Sequence, residues 1–276
     1  MTLNNLIHPD RPLILIGAGK MGGALLSGWL ARGLAARLVR IVDPKPPADT
    51  TALLSRAGIV ASATAPQGTK AGVLVIAVKP QAMGDALPPV RATVDPNTLV
   101  LSIAAGTTIA SLRSALGAEK IVRSMPNTPA QIGKGITVAV ATKAVDAKAR
   151  SLTTTLLEAV GAVEWVEDES LIDAVTAVSG SGPAYVFLLA EALAEAGVAA
   201  GLAPAIARRL ADATIAGAGA LLEQTREDPT TLRKNVTSPG GTTAAALAEL
   251  MSDSGLAPLM RRAVLAAQRR AKELAG

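Results

Sequence analysis

Gly17-Ala18-Gly19-Lys20-Met21-Gly22 is the first stretch whose residue types and spacing carry chemistry. It is a G-x-G-x-x-G run, placed directly after the apolar stretch 13–16 and directly before an amphipathic segment. In that setting Gly17 permits a tight turn, Gly19 lets the backbone approach a pyrophosphate, and Gly22 lets helix pack closely on strand. The free N–H groups and dipole of the helix N-terminus then face a diphosphate. This pattern predicts dinucleotide binding over a merely structural glycine turn. The next strand-like run, 38–42, leads to Asp43. An acidic side chain there ordinarily accepts the adenine ribose hydroxyls, which argues for NAD. Lys45 is placed to pair with a 2′-phosphate instead, and Asp43-Pro44 would also start an ordinary turn. These residues leave NAD against NADP open.

Two further strand ends carry short motifs. Ala77-Val78 leads into Lys79-Pro80. Ser102-Ile103-Ala104-Ala105-Gly106 leads into a helix opened by Thr107 and Thr108. Ligands in open α/β sheets sit at the carboxyl ends of the strands, so these loops are expected to line the nicotinamide half. Arg123-Ser124-Met125-Pro126-Asn127-Thr128-Pro129 follows. Two prolines around an amide and a hydroxyl make either a shaped ligand loop or a rigid connector.

A different chemistry is legible near the other end, in Asn235-Val236-Thr237-Ser238-Pro239-Gly240-Gly241-Thr242-Thr243. Two glycines expose backbone N–H groups at a helix start, and Ser238, Thr242 and Thr243 add hydroxyls. Such a nest suits a small carboxylate. The competing reading is an ordinary Ser/Thr helix cap after a Pro-Gly turn. Val178-Ser179-Gly180-Ser181-Gly182-Pro183-Ala184-Tyr185 is a second small-residue stretch, suited to close backbone approach in a subunit contact or an active-site wall. No His, Cys or paired carboxylate stands near these loops as acid or base. Hydride transfer to a C=N bond fits that absence. A protonated imine is already electrophilic, so alignment and water exclusion carry most of the work.

The elements that must position these residues alternate in the first half. Apolar runs at 13–16, 38–42, 73–78, 98–103 and 120–124 stand between helical patterns at 20–33, 48–57, 81–92 and 107–116. A strand at 136–141, a helix at 146–160 and a strand at 162–166 follow. Uninterrupted apolar strands alternating with helices predict a parallel sheet covered on both faces. After about residue 167 helix patterns dominate: 169–179, 183–200, 204–225, 229–235, 242–253 and 256–275, separated by Gly and Pro. The expected architecture is α/β. A Rossmann-type doubly wound domain over 1–166 precedes an all-helical substrate-binding and dimerisation domain over 167–276. Helix 183–200 carries only Glu191 and Glu195 as charges. A helix apolar on nearly every side is expected to be buried on nearly every side, here by a second subunit.

Composition narrows the classes. The chain has 276 residues, 50% apolar and 18% charged, which is globular and long enough for a sizeable core. It has no cysteine, which excludes thiolate metal sites, and its one histidine, His8 near the N-terminus, gives no basis for a His-based metal site or a Ser-His-Asp triad. Its aromatics are Trp29, Trp165, Tyr185 and Phe187, too few for base-stacking platforms. The net charge of +5 is scattered, which favours small anions over nucleic acid. No unbroken apolar run of membrane-spanning length is present and the start is not patterned as a signal peptide, so no membrane partner and a cytoplasmic location are expected.

The chain resembles the pyrroline-5-carboxylate reductase family over essentially its whole length. The likeness rests on Gly17–Gly22, Ala77–Pro80, Ser102–Gly106, Arg123–Pro129, Val178–Tyr185 and Ser238-Pro239-Gly240-Gly241-Thr242-Thr243, the last being the most specific. What the resemblance implies is NAD(P)H-dependent reduction of the C=N bond of L-1-pyrroline-5-carboxylate to L-proline, the last step of proline biosynthesis. By this resemblance the Gly17–Gly22 loop holds the cofactor diphosphate, while Asp43 and Lys45 are cofactor-binding candidates from their place after the second strand. Ala77, Lys79 and Pro80, with Ala104 and Gly106, border its nicotinamide side, Val78 is a further cofactor-binding residue, and Asn127 is assigned to the cofactor while lining the pocket beside Met125 and Pro126. Met125 and Pro126 line the substrate pocket. Ser238, Gly240, Gly241 and Thr242 grip the substrate carboxylate, and the Thr243 hydroxyl bonds the ring nitrogen as the catalytic residue. The family interlocks as homodimers that often build decamers, with no metal. It leans to NADPH, whereas the mixed turn 43–47 departs from the commoner neutral or basic one. NADPH is therefore the expected cofactor and NADH the alternative. A β-hydroxyacid reductase on the same plan ordinarily depends on a lysine in the helical domain. Here Lys234 and Lys272 have no Gly-rich context, which counts against it. A non-catalytic dinucleotide sensor would need the glycine loop without the 238–243 nest.

Overall fold

The computed structural model describes residues 3–275. After a short helix α1 (Leu3–Leu6), eight strands form one sheet: β1 (Leu13–Ile16), β2 (Val39–Val42), β3 (Ala61–Ser62), β4 (Val73–Ile76), β5 (Leu99–Ser102), β6 (Ile121–Met125), β7 (Gly135–Ala141) and β8 (Gly161–Trp165). Their order is β3-β2-β1-β4-β5-β6-β7-β8. β1, β4 and β5 are buried at every residue, as strands covered on both faces must be. The order reverses between β1 and β4, so the crevice at their carboxyl ends is where an α/β sheet receives its ligand.

The expected parallel sheet holds except at one pairing: β6 and β7 run antiparallel. Only a 3-10 turn, Thr128–Ile132, lies between them, and a connection that short has no crossover helix to bring the chain back. The two-residue β3 on the sheet edge was too short to register as an apolar run.

Helices α2 (Lys20–Ala31), α3 (Ala48–Ala57), α4 (Met83–Val90), α5 (Ile109–Leu116) and α6 (Ala147–Leu157) cover the sheet. Two apolar clusters result, one around Leu15, Trp29, Val75 and Leu156, the other around Ile14, Leu74, Leu87 and Leu112. Trp29 is fully buried and donates its indole N–H to the Leu156 carbonyl at 2.8 Å, which ties α2 to α6. A third small cluster joins Val138 and Val140 of β7 to Ile172.

The remaining elements are α7 (Ile172–Val175), a π turn at Thr176–Gly180, α8 (Gly182–Ala199), α9 (Pro204–Thr225), α10 (Pro229–Asn235), α11 (Thr242–Leu250) and α12 (Leu256–Ala275). Compactness groups the chain up to Gly180, together with the segment from Gln268 onward, as one unit and Ser181–Ala267 as the other. That division falls later than the composition shift at 166/167, because Ile172 packs on the β7 side chains of the first unit. The single chain leaves helix α8 largely uncovered, and the cover expected from a second subunit lies outside it. Ala190 is its one buried residue, while Phe187 is 62% and Leu188 is 64% exposed. By length and composition the helical run Glu169–Ala199 is also apolar enough to cross a membrane, a property that a search for unbroken apolar runs passes over.

Candidate active site

Gly17 follows β1 at φ +85°, a left-handed turn that favours glycine, and its N–H donates to the Val42 carbonyl at 2.9 Å. Gly19 is the N-cap of α2, where no side chain caps the helix. A Cβ at Gly19 would meet nothing within 4 Å, so the backbone there faces open space. At Gly22 a Cβ would collide with the Gly17 carbonyl oxygen. The three glycines thus serve the turn, the open approach and the close packing that a diphosphate loop requires. Lys20 is exposed and Met21 half-buried on the first turn of α2.

Asp43 stands immediately after β2, with its carboxylate held from two sides. One oxygen accepts the Ala18 N–H at 2.7 Å and the other accepts the Lys45 N–H at 2.8 Å. Lys45 itself is exposed. Beside them lies a cavity of about 280 Å³ whose walls include Gly17, Asp43, Pro44, Val78, Asp85 and Ala86. An open glycine-lined helix start next to an apolar cavity with a fixed carboxylate fits a dinucleotide, its diphosphate on α2 and its adenosine in the cavity.

The loops after β4 and β5 follow the same edge. Ala77 donates its N–H to the Ile16 carbonyl at 2.8 Å, which seats the β4 exit beside the glycine loop. Lys79 and Pro80 are exposed there, and Pro80 opens a 3-10 turn. Ala104 is buried. Gly106 has φ +68°, and a Cβ there would come within 3.2 Å of the Leu274 carbonyl oxygen, so the end of α12 closes over this loop. Met125 ends β6, Pro126 is buried, and a Cβ at Gly180 would come within 2.6 Å of the Met125 methyl. The Asn127 carboxamide oxygen accepts the Ile136 N–H at 3.0 Å. That oxygen therefore pins the start of β7, a task its place in the motif does not reveal.

Two residues were not singled out from the sequence. Arg123 is 4% exposed and donates to Glu169 Oε1 at 2.7 Å. The same oxygen accepts the Ile109 N–H, the first of α5, at 2.8 Å. The available signal was the charge of Arg123 inside the otherwise uncharged run Ile121–Met125. Its partner is distant in sequence and could not be chosen from spacing.

In the helical unit, Gly240 turns at φ +69° and Gly241 is the N-cap of α11 with no capping side chain. The Gly241 N–H donates to the Ser238 carbonyl at 3.1 Å, which curls the backbone ahead of the helix. Ser238, Gly240 and Thr242 are exposed, and Gly241 and Thr243 are half-buried. The ordinary Ser/Thr cap is thus not what this stretch forms. Its glycine cap leaves the helix N-terminus uncapped by side chains, as a carboxylate site requires.

Comparison with known proteins bears on both halves. Residues 169–274 match the family model for pyrroline-5-carboxylate reductase dimerisation, and residues 13–106 match that for NADP oxidoreductase, coenzyme F420-dependent. The chain is 40% identical to a pyrroline-5-carboxylate reductase of Pseudomonas aeruginosa over 264 residues, covering 95% of this chain and 96% of the relative. The chain belongs to the pyrroline-5-carboxylate reductase family. Among plant members, that of Arabidopsis thaliana is 37% identical, with 94% of each chain covered. A solved pyrroline-5-carboxylate reductase of Coxiella burnetii superposes with a TM-score of 0.88 at 35% identity, over 97% of this chain and 99% of that one. The Plasmodium falciparum reductase solved with NADP bound gives 0.78 at 28% identity, over 97% and 99%.

Proposed function

We propose that this chain is a pyrroline-5-carboxylate reductase, converting L-1-pyrroline-5-carboxylate to L-proline at the expense of NADPH or NADH. The observation that carries the reading is likeness to reductases of this name over nearly the whole length, at 40% identity. The two halves of the chain supply what the reaction needs. The glycine loop and Asp43 fit the dinucleotide, and the glycine-capped start of α11 fits a carboxylate.

When bound, the reduced nicotinamide supplies the hydride that adds to the imine carbon, while the ring nitrogen carries the proton and becomes the amine. The chain's own part is to orient and to exclude water. Backbone N–H groups around Gly240 and Gly241, with Ser238 and Thr242, hold the carboxylate, and the Thr243 hydroxyl hydrogen-bonds the ring nitrogen. Met125 and Pro126 form an apolar wall. We assign cofactor binding to 1–166 and substrate binding and dimerisation to 167–276, with cytoplasmic location part of the same proposal. The exposed apolar residues of α8 suit a subunit contact, and further assembly of dimers into a decamer is the larger oligomer proposed.

The test is cofactor oxidation followed at 340 nm with purified protein and pyrroline-5-carboxylate, run with NADPH and with NADH. Imine-dependent oxidation is expected. Folded protein that binds dinucleotide and oxidises neither cofactor would sink the reading and favour a sensor.

A further inference from the structure

The Glu169 carboxylate is not used by its own turn. Asp168 caps that turn, accepting the Ser170 N–H at 2.8 Å. Glu169 instead reaches the sheet. There one oxygen binds the buried Arg123 guanidinium of β6 at 2.7 Å and the first N–H of α5 at 2.8 Å. Each partner sits beside a loop on the nicotinamide side. Arg123 is two residues before Met125 and three before Pro126. Ile109 directly follows the loop that contains Ala104 and Gly106. The two strand ends are also cross-linked by Ser124 Oγ, which donates to the Ser102 carbonyl at 2.9 Å, and within the β5 exit Ser102 Oγ accepts the Ala104 N–H at 3.3 Å.

We propose that Glu169 is a positioning residue for hydride transfer, one carboxylate that sets the β5 and β6 exit loops at a fixed spacing through Arg123 and the start of α5. The inference rests on the reductase reading for the reaction and on the bonds above for the spacing. A buried guanidinium needs its counter-charge, so the contact is not interchangeable with water. An acidic group at a helix N-terminus is also favoured by the helix dipole. Together these make the carboxylate a rigid joint between the exit loops of two strands that pair as far as Ser102 and Arg123. Displacing reacting atoms by about 1 Å costs about a hundredfold in rate. The adenosine end of the crevice, at Gly17 and Asp43, has no bond to this joint and serves as the internal control.

The experiment compares wild type with Glu169→Ala and Glu169→Gln in the full chain. Turnover and the affinities for ADP-ribose and for NADPH are measured for each. Glu169→Ala is expected to lower kcat about tenfold to a hundredfold and to raise the deuterium isotope effect with 4-deuterated cofactor, with ADP-ribose affinity unchanged. Glu169→Gln keeps an acceptor for the Ile109 N–H but not the charge facing Arg123, so a smaller loss in the same direction is expected. It also serves if the alanine variant fails to fold. An unchanged kcat in the folded variants overturns the proposal. So does a kcat that falls in parallel with ADP-ribose affinity, which marks a general structural role. If wild type binds dinucleotide without turnover, the reductase reading fails separately. The joint is then judged on whether the variants lose NADPH affinity but keep ADP-ribose affinity; equal losses, or none, overturn it.

Discussion

An alanine at Gly22 would drive its Cβ into the Gly17 carbonyl oxygen, backbone against backbone, with no flexible side chain to yield. The loop must then open. Gly22→Ala is expected to weaken dinucleotide binding by about tenfold or more, measured by titration of cofactor fluorescence, while imine-site residues are untouched. Thr243 makes the complementary case. It is the second residue of a helix whose N-cap is already Gly241, so the fold does not depend on its hydroxyl for capping. Thr243→Ala is expected to lower turnover by about a hundredfold, the usual cost of one lost donor to the reacting group, with the melting temperature unchanged. An unaltered rate would remove Thr243 from the mechanism. The motif glycines were legible residue by residue, because a backbone requirement is written into residue type. Asn127 and Glu169 were not, because a carboxamide or carboxylate says nothing of its partner until the chain is folded.

At the scale of elements, Arg11 braces the start of β1 against the connection into β5. Its guanidinium grips Asp95 with two bonds of 2.7 Å and also donates to the Ala71 carbonyl at 2.9 Å. Arg11, together with the Asn97 N–H and Thr98, holds the Asp95 carboxyl well below the usual carboxylate range. A carboxylate with a depressed folded value contributes stability that is fully present above its ordinary value, near pH 4, and is lost as pH falls through the folded value. Asp95→Asn is expected to cost about 1–2 kcal/mol at neutral pH, given partial screening, with the gap to wild type closing below about pH 4. Denaturant titrations at pH 7 and at pH 3 check it. Strand and helix positions followed the apolar periodicity closely, because a strand covered on both faces must be apolar throughout. The reversal of β7 did not follow from it, since direction is decided by the length of the connection before the strand.

For the whole molecule, the helical unit leaves Phe187, Leu188, Leu193 and Leu210 more than a third exposed, in a region matched by a dimerisation family. Apolar area on this scale is stable in water only when a second surface covers it. Phe187→Asp and Leu188→Asp together are expected to convert an oligomer into monomer, read by sedimentation velocity, with dinucleotide binding in the sheet domain retained. Assembly that survives both substitutions would exclude α8 from the subunit contact.

Residue types and their order determined the glycine loop, the acidic end of β2 and the change from alternating strands to helices. Each of these is a local requirement of backbone conformation or of burial, and local requirements are satisfied by neighbours in sequence. Tertiary structure alone decided that Asp43 accepts the Ala18 N–H, that the stretch before α11 ends in a glycine cap, that β7 runs backward, that Asn127 pins β7, and that Arg123 shares Glu169 with the start of α5. Those pairings join residues far apart along the chain or depend on which face a strand end presents. Long-range partners are selected by packing of the whole sheet, and no spacing rule along the sequence encodes them.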